Sequence, residues 1–192
     1  MTHRYKQHSN YEASIDPERC AAAVHDSGRM EGIRYIEKIR EYCCYIERHL
    51  RNVEASWVTL QRKCKDMRFI YDDYVFVSID EEVKAHDLSK FSVEEFIPYQ
   101  RKFYPVGEPE ELGLAWVHHQ ECNPHHWQHW TAKEYGNPYA AEVHCVCMVI
   151  DWMAMGLEFG DTAEEYYERE KEKIDLPDWA VTFIGEIFER LR

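Results

Sequence analysis

The chain has 192 residues, 45% hydrophobic and 31% charged, which fits one globular domain with a substantial core. Its formal charge of −13 opposes the phosphate backbone of duplex DNA or RNA, yet allows a small anionic substrate at a locally positive site. Uninterrupted apolar runs fall short of the roughly 20 residues of a membrane span. The opening MTHRYKQHSNYEASIDPERC lacks the apolar centre of a secretion signal, so a cytoplasmic location with no membrane partner is expected.

Residues 1–30 read as a polar, loosely attached arm with a weak helical segment from Pro17 to His25, and 31–192 as the domain itself. From Glu31 to Cys64 the residues Ile36, Ile39, Cys43, Ile46, Leu50, Val53, Trp57 and Leu60 recur at helical spacing and form one apolar stripe. A second helix is expected to end at HDLSKF, with Ile79, Val83, His86, Asp87 and Lys90 on a shared side. The run Tyr74 to Val77 suits either a strand or a helix. Ser92 and Glu95 have the spacing of a capping box, which predicts a helix from Val93 to about Tyr104.

Pro105, Gly107 and Pro109 break the chain before a helix from Glu110 to Cys122, which the Asn123-Pro124 step ends. Gly136-Asn137-Pro138 precedes a long apolar helix from about Tyr139 to Phe159. Gly160 and Asp161 break it, and Thr162 is a good cap for the next. Helices from about Ala163 to Ile174 and from Asp178 to Leu191 complete an all-α chain. The seven cysteines, odd in number and without a C-x-x-C pair, read as reduced and mostly packing residues.

Histidine placement carries the chemistry. His49 lies three residues after Ile46 and four before Val53, so it faces inward with the stripe. His86 and Asp87 adjoin a helix end, and His118, His119, His125, His126 and His129 crowd the segment AWVHHQECNPHHWQHW. Asp151 stands in a helix that is apolar on nearly every side. A carboxylate there costs several kcal/mol unless it is paired, hydrogen-bonded or bound to a cation. Imidazoles with carboxylates suit Mn, Fe, Co, Ni or Zn, and several of them suit two ions. His144, seven residues before Asp151, is placed to orient a ligand. Trp116, Trp127 and Trp130 belong either to the core or to an aromatic wall for a nucleobase.

The order His49, His86-Asp87, His119, His125-His126, Asp151 resembles the H…HD…H…H…D signature of the HD-domain superfamily of helical metal-dependent phosphohydrolases. More narrowly, HDLSKF, the stretch around Asn123-Pro124-His125-His126 and MVIDWMAM look like an uncharacterised phage and bacterial family, from about Ile46 to the end. The resemblance implies a single HD-like helical bundle with a metal site between helices. It implies that His86 and Asp87 hold two divalent transition-metal ions, Asp87 bridging them, with His49 and Asp151 completing one shell and His119, His125 and His126 the other. Asp87 and Lys90 would be the catalytic pair, Lys90 touching a phosphate of a nucleotide or another small phosphate ester. His119 and His125 lie closer in sequence than is usual in that superfamily, which leaves the choice among His118, His119, His125 and His126 open. Two rival readings keep the same ligands: a di-iron oxygenase cleaving C–C or C–P bonds, and a non-catalytic protein that binds metal and sequesters a nucleotide or a protein partner.

Overall fold

The computed structural model describes residues 26–131 and 138–192. The weak segment Pro17 to His25 and the step Gly136-Asn137 lie outside the described residues. Among the described residues the chain is all-helical, with nine α-helices and two short 3₁₀ turns. They are α1 (Asp26–Lys63), α2 (Arg68–Tyr71), α3 (Asp73–Ala85), α4 (Phe96–Phe103), α5 (Leu114–Cys122), α6 (Trp127–Thr131), α7 (Pro138–Phe159), α8 (Ala163–Glu170) and α9 (Asp178–Leu191). The 3₁₀ turns are Leu88–Phe91 and Lys171–Lys173.

α7 is the axis of the fold. Its 22 residues pack chiefly on α1, with α3, α6, α8 and α9 around the rest of its surface. By length and composition it is apolar enough to cross a membrane, which corrects the reading of its apolar runs as too short. Of its most apolar window, 67% is buried within the fold, so core packing accounts for that apolarity. The larger core joins Val143 to Ile150 of α7 with Val53, Trp57 and Leu60 of α1, Phe69, Ile79, and Ile184 and Ile187 of α9. A smaller cluster joins Tyr42 and Ile46 of α1 to Tyr99 of α4 and Ala115 of α5. α1 serves both, and His49 lies between Ile46 of one and Val53 of the other.

The stripe on α1 is buried only from Tyr42 onward. Tyr42 rather than Cys43 takes the inward position, and Met30, Ile33 and Ile36 are exposed. α1 begins at Asp26, inside the span assigned to the arm. Tyr74 to Val77 is helical, because the Asp72 carboxylate caps α3 by accepting from the N–H groups of Tyr74 and Val75.

Further on, α4 starts three residues later than expected. The capping box does not form: the Ser92 hydroxyl finds no partner among the described residues, and Glu95 turns inward. α5 starts at Leu114 rather than Glu110, since Gly113 at φ +51° interrupts the helix there. It stops at Cys122, before Asn123-Pro124. Thr162 forms a full capping box with Glu165 at the start of α8.

Candidate metal centre

Five elements deliver the site. α3 ends at Ala85, because Asp87 adopts φ 57° and ψ 16°, a left-handed conformation that aspartate tolerates better than most residues. This corrects the shared helical side expected for His86, Asp87 and Lys90. The chain turns at Asp87, and the following 3₁₀ turn brings Lys90 back onto it. His49 comes from α1, His118 and His119 from α5, His125 and His126 from the turn after Pro124, and Asp151 from α7.

These residues converge. His49 Nε2 lies 3.1 Å from His86 Nε2, 3.2 Å from Asp87 Oδ2 and 3.3 Å from Asp151 Oδ1. His86 Nε2 is 3.6 Å from Asp87 Oδ2 and 3.5 Å from Asp151 Oδ1. The other oxygen of Asp87, Oδ1, lies 3.4 Å from His119 Nε2 and 3.6 Å from His125 Nε2. His126 completes that second group, whose ligand atoms all lie within 4.8 Å of one another. His125 also approaches the first group, stacked on His86 with ring centroids 4.1 Å apart.

Donors about 2.0–2.2 Å from a tetrahedral ion lie about 3.4 Å apart along its edges, which is the spacing seen here. Asp87 Oδ1 is buried and makes no hydrogen bond among the described residues. Glu95 holds the Nδ1–H of His119 at 2.8 Å, so Nε2 turns a lone pair towards that same oxygen. Two acceptors so placed are satisfied by a cation between them. The buried His/Asp clusters can therefore hold a metal ion.

Residues 38–189 match the model of a protein family described as Family of unknown function (DUF5662). The chain belongs to this family. The match spans every candidate ligand from His49 to Asp151. Among the curated proteins and the solved structures compared, none matches.

Glu95 is the family member's residue that sequence reasoning missed. It is fully buried, and each carboxylate oxygen serves one imidazole: Oε1 takes His118 at 2.7 Å and Oε2 takes His119. Its only sequence signal was the spacing from Ser92, which reads as a cap. His118 is thereby drawn away from the two groups around Asp87. His144 Nδ1 lies 2.8 Å from Glu82 Oε1, and seven residues of helix set His144 about 10 Å along the axis from Asp151. His129 Nδ1 lies 3.1 Å from Gln120 O.

Lys90 is 7% exposed and donates to Asp87 Oδ2 at 2.5 Å. Burial opposes charge on both partners, but their mutual attraction outweighs it: Lys90 is held above its ordinary pKa, and Asp87 well below the carboxylate range. Asp151 is also held low, its burial outweighed by His86 and His49. Its side chain is 18% exposed, more open than a place in an apolar helix suggested, because it faces a cavity.

That cavity, about 330 Å³, is lined by His125, His126 and Asp151 together with Trp116, Trp127 and Trp152. Met148, Met155, Phe159 and Ile174 extend its apolar wall, and Arg169 is its cation, bound to Asp161 at 2.9 Å. Trp130 belongs to the core instead. A larger surface cavity of about 630 Å³, bordered by Pro138 and Trp179, includes none of the candidate ligands.

Burial, reinforced by the neighbouring His119, pushes His126 down to about 4, and His125 and His119 are lowered by burial too. Neutral imidazoles are ready to ligate. In chelator-treated protein the unfolded chain takes up these protons first, from about pH 6.5, so stability falls as pH falls from about 6.5 to 4. His86, raised by Asp87 and Asp151 against its burial, works in the opposite sense. Thermal melts in chelator are expected to show the loss over that window, with a shallower slope in His126→Gln. Parallel profiles for the two proteins would mean that His126 is not held neutral.

Proposed function

We propose that this cluster is a dinuclear centre of the HD type and that the protein is a metal-dependent phosphohydrolase acting on a nucleotide or another small phosphate ester. The observation that supports it most is Asp87, a buried carboxylate with one oxygen towards His49 and His86 and the other towards His119 and His125. His49, His86 and Asp151 would hold one ion and His119, His125 and His126 the other, with Asp87 between. Bound divalent ions supply Lewis acidity and bring the pKa of water towards about 7.

The chain's own groups do the rest. Glu95 fixes the tautomer of His119, and Lys90 keeps Asp87 ionised and oriented. In this reading Lys90 acts on Asp87, to which it donates, since it is not among the residues that line the cavity. Trp116, Trp127 and Trp152 offer flat faces to a base, and Arg169 offers positive charge. At about 330 Å³ the cavity is near the small end of ligand pockets, which suits a mononucleotide or a smaller ester.

One observation favours a second reading. The wall is mostly aromatic and aliphatic, and its arginine is already paired, which suits an uncharged organic substrate and the di-iron oxygenase. The deciding measurement is phosphate release from a panel of nucleotides and small esters with Mn²⁺ supplied, beside oxygen uptake by iron-loaded protein. Phosphate release that disappears in His126→Ala is the expected result. Absence of phosphate release, with oxygen uptake dependent on an organic substrate, would transfer the assignment to the oxygenase.

A further inference from the structure

Beyond the groups around Asp87, the far side of Glu95 gathers a different set of donors. His118 and Cys122 stand four residues apart on α5, so both project from one face of the helix. His118 Nδ1 lies 2.7 Å from Glu95 Oε1 and 3.9 Å from Cys122 Sγ, and His118 Nε2 lies 3.7 Å from that sulfur. One atom from each of the three residues lies within 4.8 Å of the other two.

We propose that Glu95, His118 and Cys122 form a separate site for one thiophilic divalent cation of the zinc class. Zinc bonds of about 2.0–2.1 Å to nitrogen and about 2.3 Å to sulfur place those two donors about 3.6 Å apart, close to the separations present. The Glu95 oxygen and the imidazole open by about half an ångström to admit the ion. The inner wall is rigid, because Glu95 is fully buried and its second oxygen is fixed by His119. The outer side is open, with Cys122 exposed and the His118 side chain 33% exposed, which gives the ion an entry path and leaves one position for water.

The donor set differs in kind from the first centre. The candidate donors around Asp87 are imidazoles and carboxylates. Here a thiolate is added, which favours Zn²⁺, Cd²⁺ or Co²⁺ over Mn²⁺ and Mg²⁺. Binding converts the Cys122 thiol to a metal thiolate and releases its proton to solvent; no electron is transferred. Glu95 then touches both centres, one oxygen on this ion and the other on the imidazole of His119.

Cobalt distinguishes the two sites, because only a sulfur ligand gives a thiolate-to-cobalt charge-transfer band in the near ultraviolet. The full chain, stripped of metal and titrated with Co²⁺, is expected to develop that band. Cys122→Ser should lose it, and His118→Ala should weaken it by about tenfold or more, at least the scale seen when an outer partner of a metal site is removed. Asp151→Asn, which breaks the first centre, should keep the band, so failure of the phosphohydrolase reading leaves this test intact. A titration without the band, or one whose band survives in Cys122→Ser, overturns the proposal. Should Cys122→Ser misfold, alkylation of the wild-type chain decides. Zn²⁺ should protect Cys122 while the exposed Cys43 and Cys44 react, and equal reaction of all three refutes the site.

Discussion

Asp87→Asn is expected to abolish retention of transition metal while leaving the helical content unchanged. The amide keeps the volume of the carboxylate and an oxygen for Lys90, but it cannot give an anionic oxygen to each of two groups of imidazoles. Wild-type protein purified without chelator should carry metal and melt higher with it than after chelation, because a ligand that binds only the folded state stabilises it. The gain is about 2.7 kcal/mol at one hundred times the dissociation constant. The variant should show neither the metal nor the shift. Asp87→Ala should be worse even in chelator, since it strands the 7%-exposed Lys90 ammonium, and breaking a buried pair costs about 3–5 kcal/mol. Metal content by mass spectrometry and denaturant unfolding with and without chelator provide the check. Full metal content in Asp87→Asn would remove Asp87 from the centre of the site.

The second large effect lies away from any ligand. A methyl group at Gly156 of α7 would meet the carbonyl oxygen of Asp161 at 2.4 Å and its carbon at 3.2 Å, and both belong to the backbone. No rotamer change relieves that clash. The turn is already fixed by Gly160, at φ +86°, whose N–H donates to Gly156 O at 2.7 Å. Gly156→Ala should gain up to about 1 kcal/mol of helix propensity and lose about 1–3 kcal/mol to displacement, a net destabilisation. Asp161 also holds Arg169 in the cavity wall, so on the proposed phosphohydrolase reading substrate affinity should fall while metal content stays near wild type. A melting temperature at or above wild type would show that the turn yields freely.

Sequence alone pointed to two members of the cluster because each violates its surroundings. His49 interrupts an apolar stripe and Asp151 an apolar helix, so each called for a partner before any coordinates. The bounds of α7 and the stop of α5 were likewise legible, since an apolar helix after a proline and an Asn-Pro step are local signals. Glu95 was hidden because its spacing from Ser92 satisfies a local rule, while two imidazoles distant in sequence claim its carboxylate instead. The end of α3 was hidden as well. Asp87 takes a left-handed backbone without the glycine that usually announces one, and its place between two groups of donors depends on that turn.

The five histidines between His118 and His129 have a consequence for the chain before it folds. His49 and Asp151 are separated by 102 positions, so an ion held between them closes a long loop and acts like a removable cross-link. The segment from His118 to His129 needs no such closure. It brings several imidazoles and Cys122 within one short stretch and can capture an ion while the rest of the polypeptide is still a coil. Such capture lowers the free energy of the unfolded state as well as the folded one, so the rise in melting temperature understates the affinity of the finished site. It also makes the order of addition matter in refolding. Metal supplied at the start can fix these imidazoles in non-native pairings, whereas metal supplied after the helices have packed meets donors already sorted between the two oxygens of Asp87.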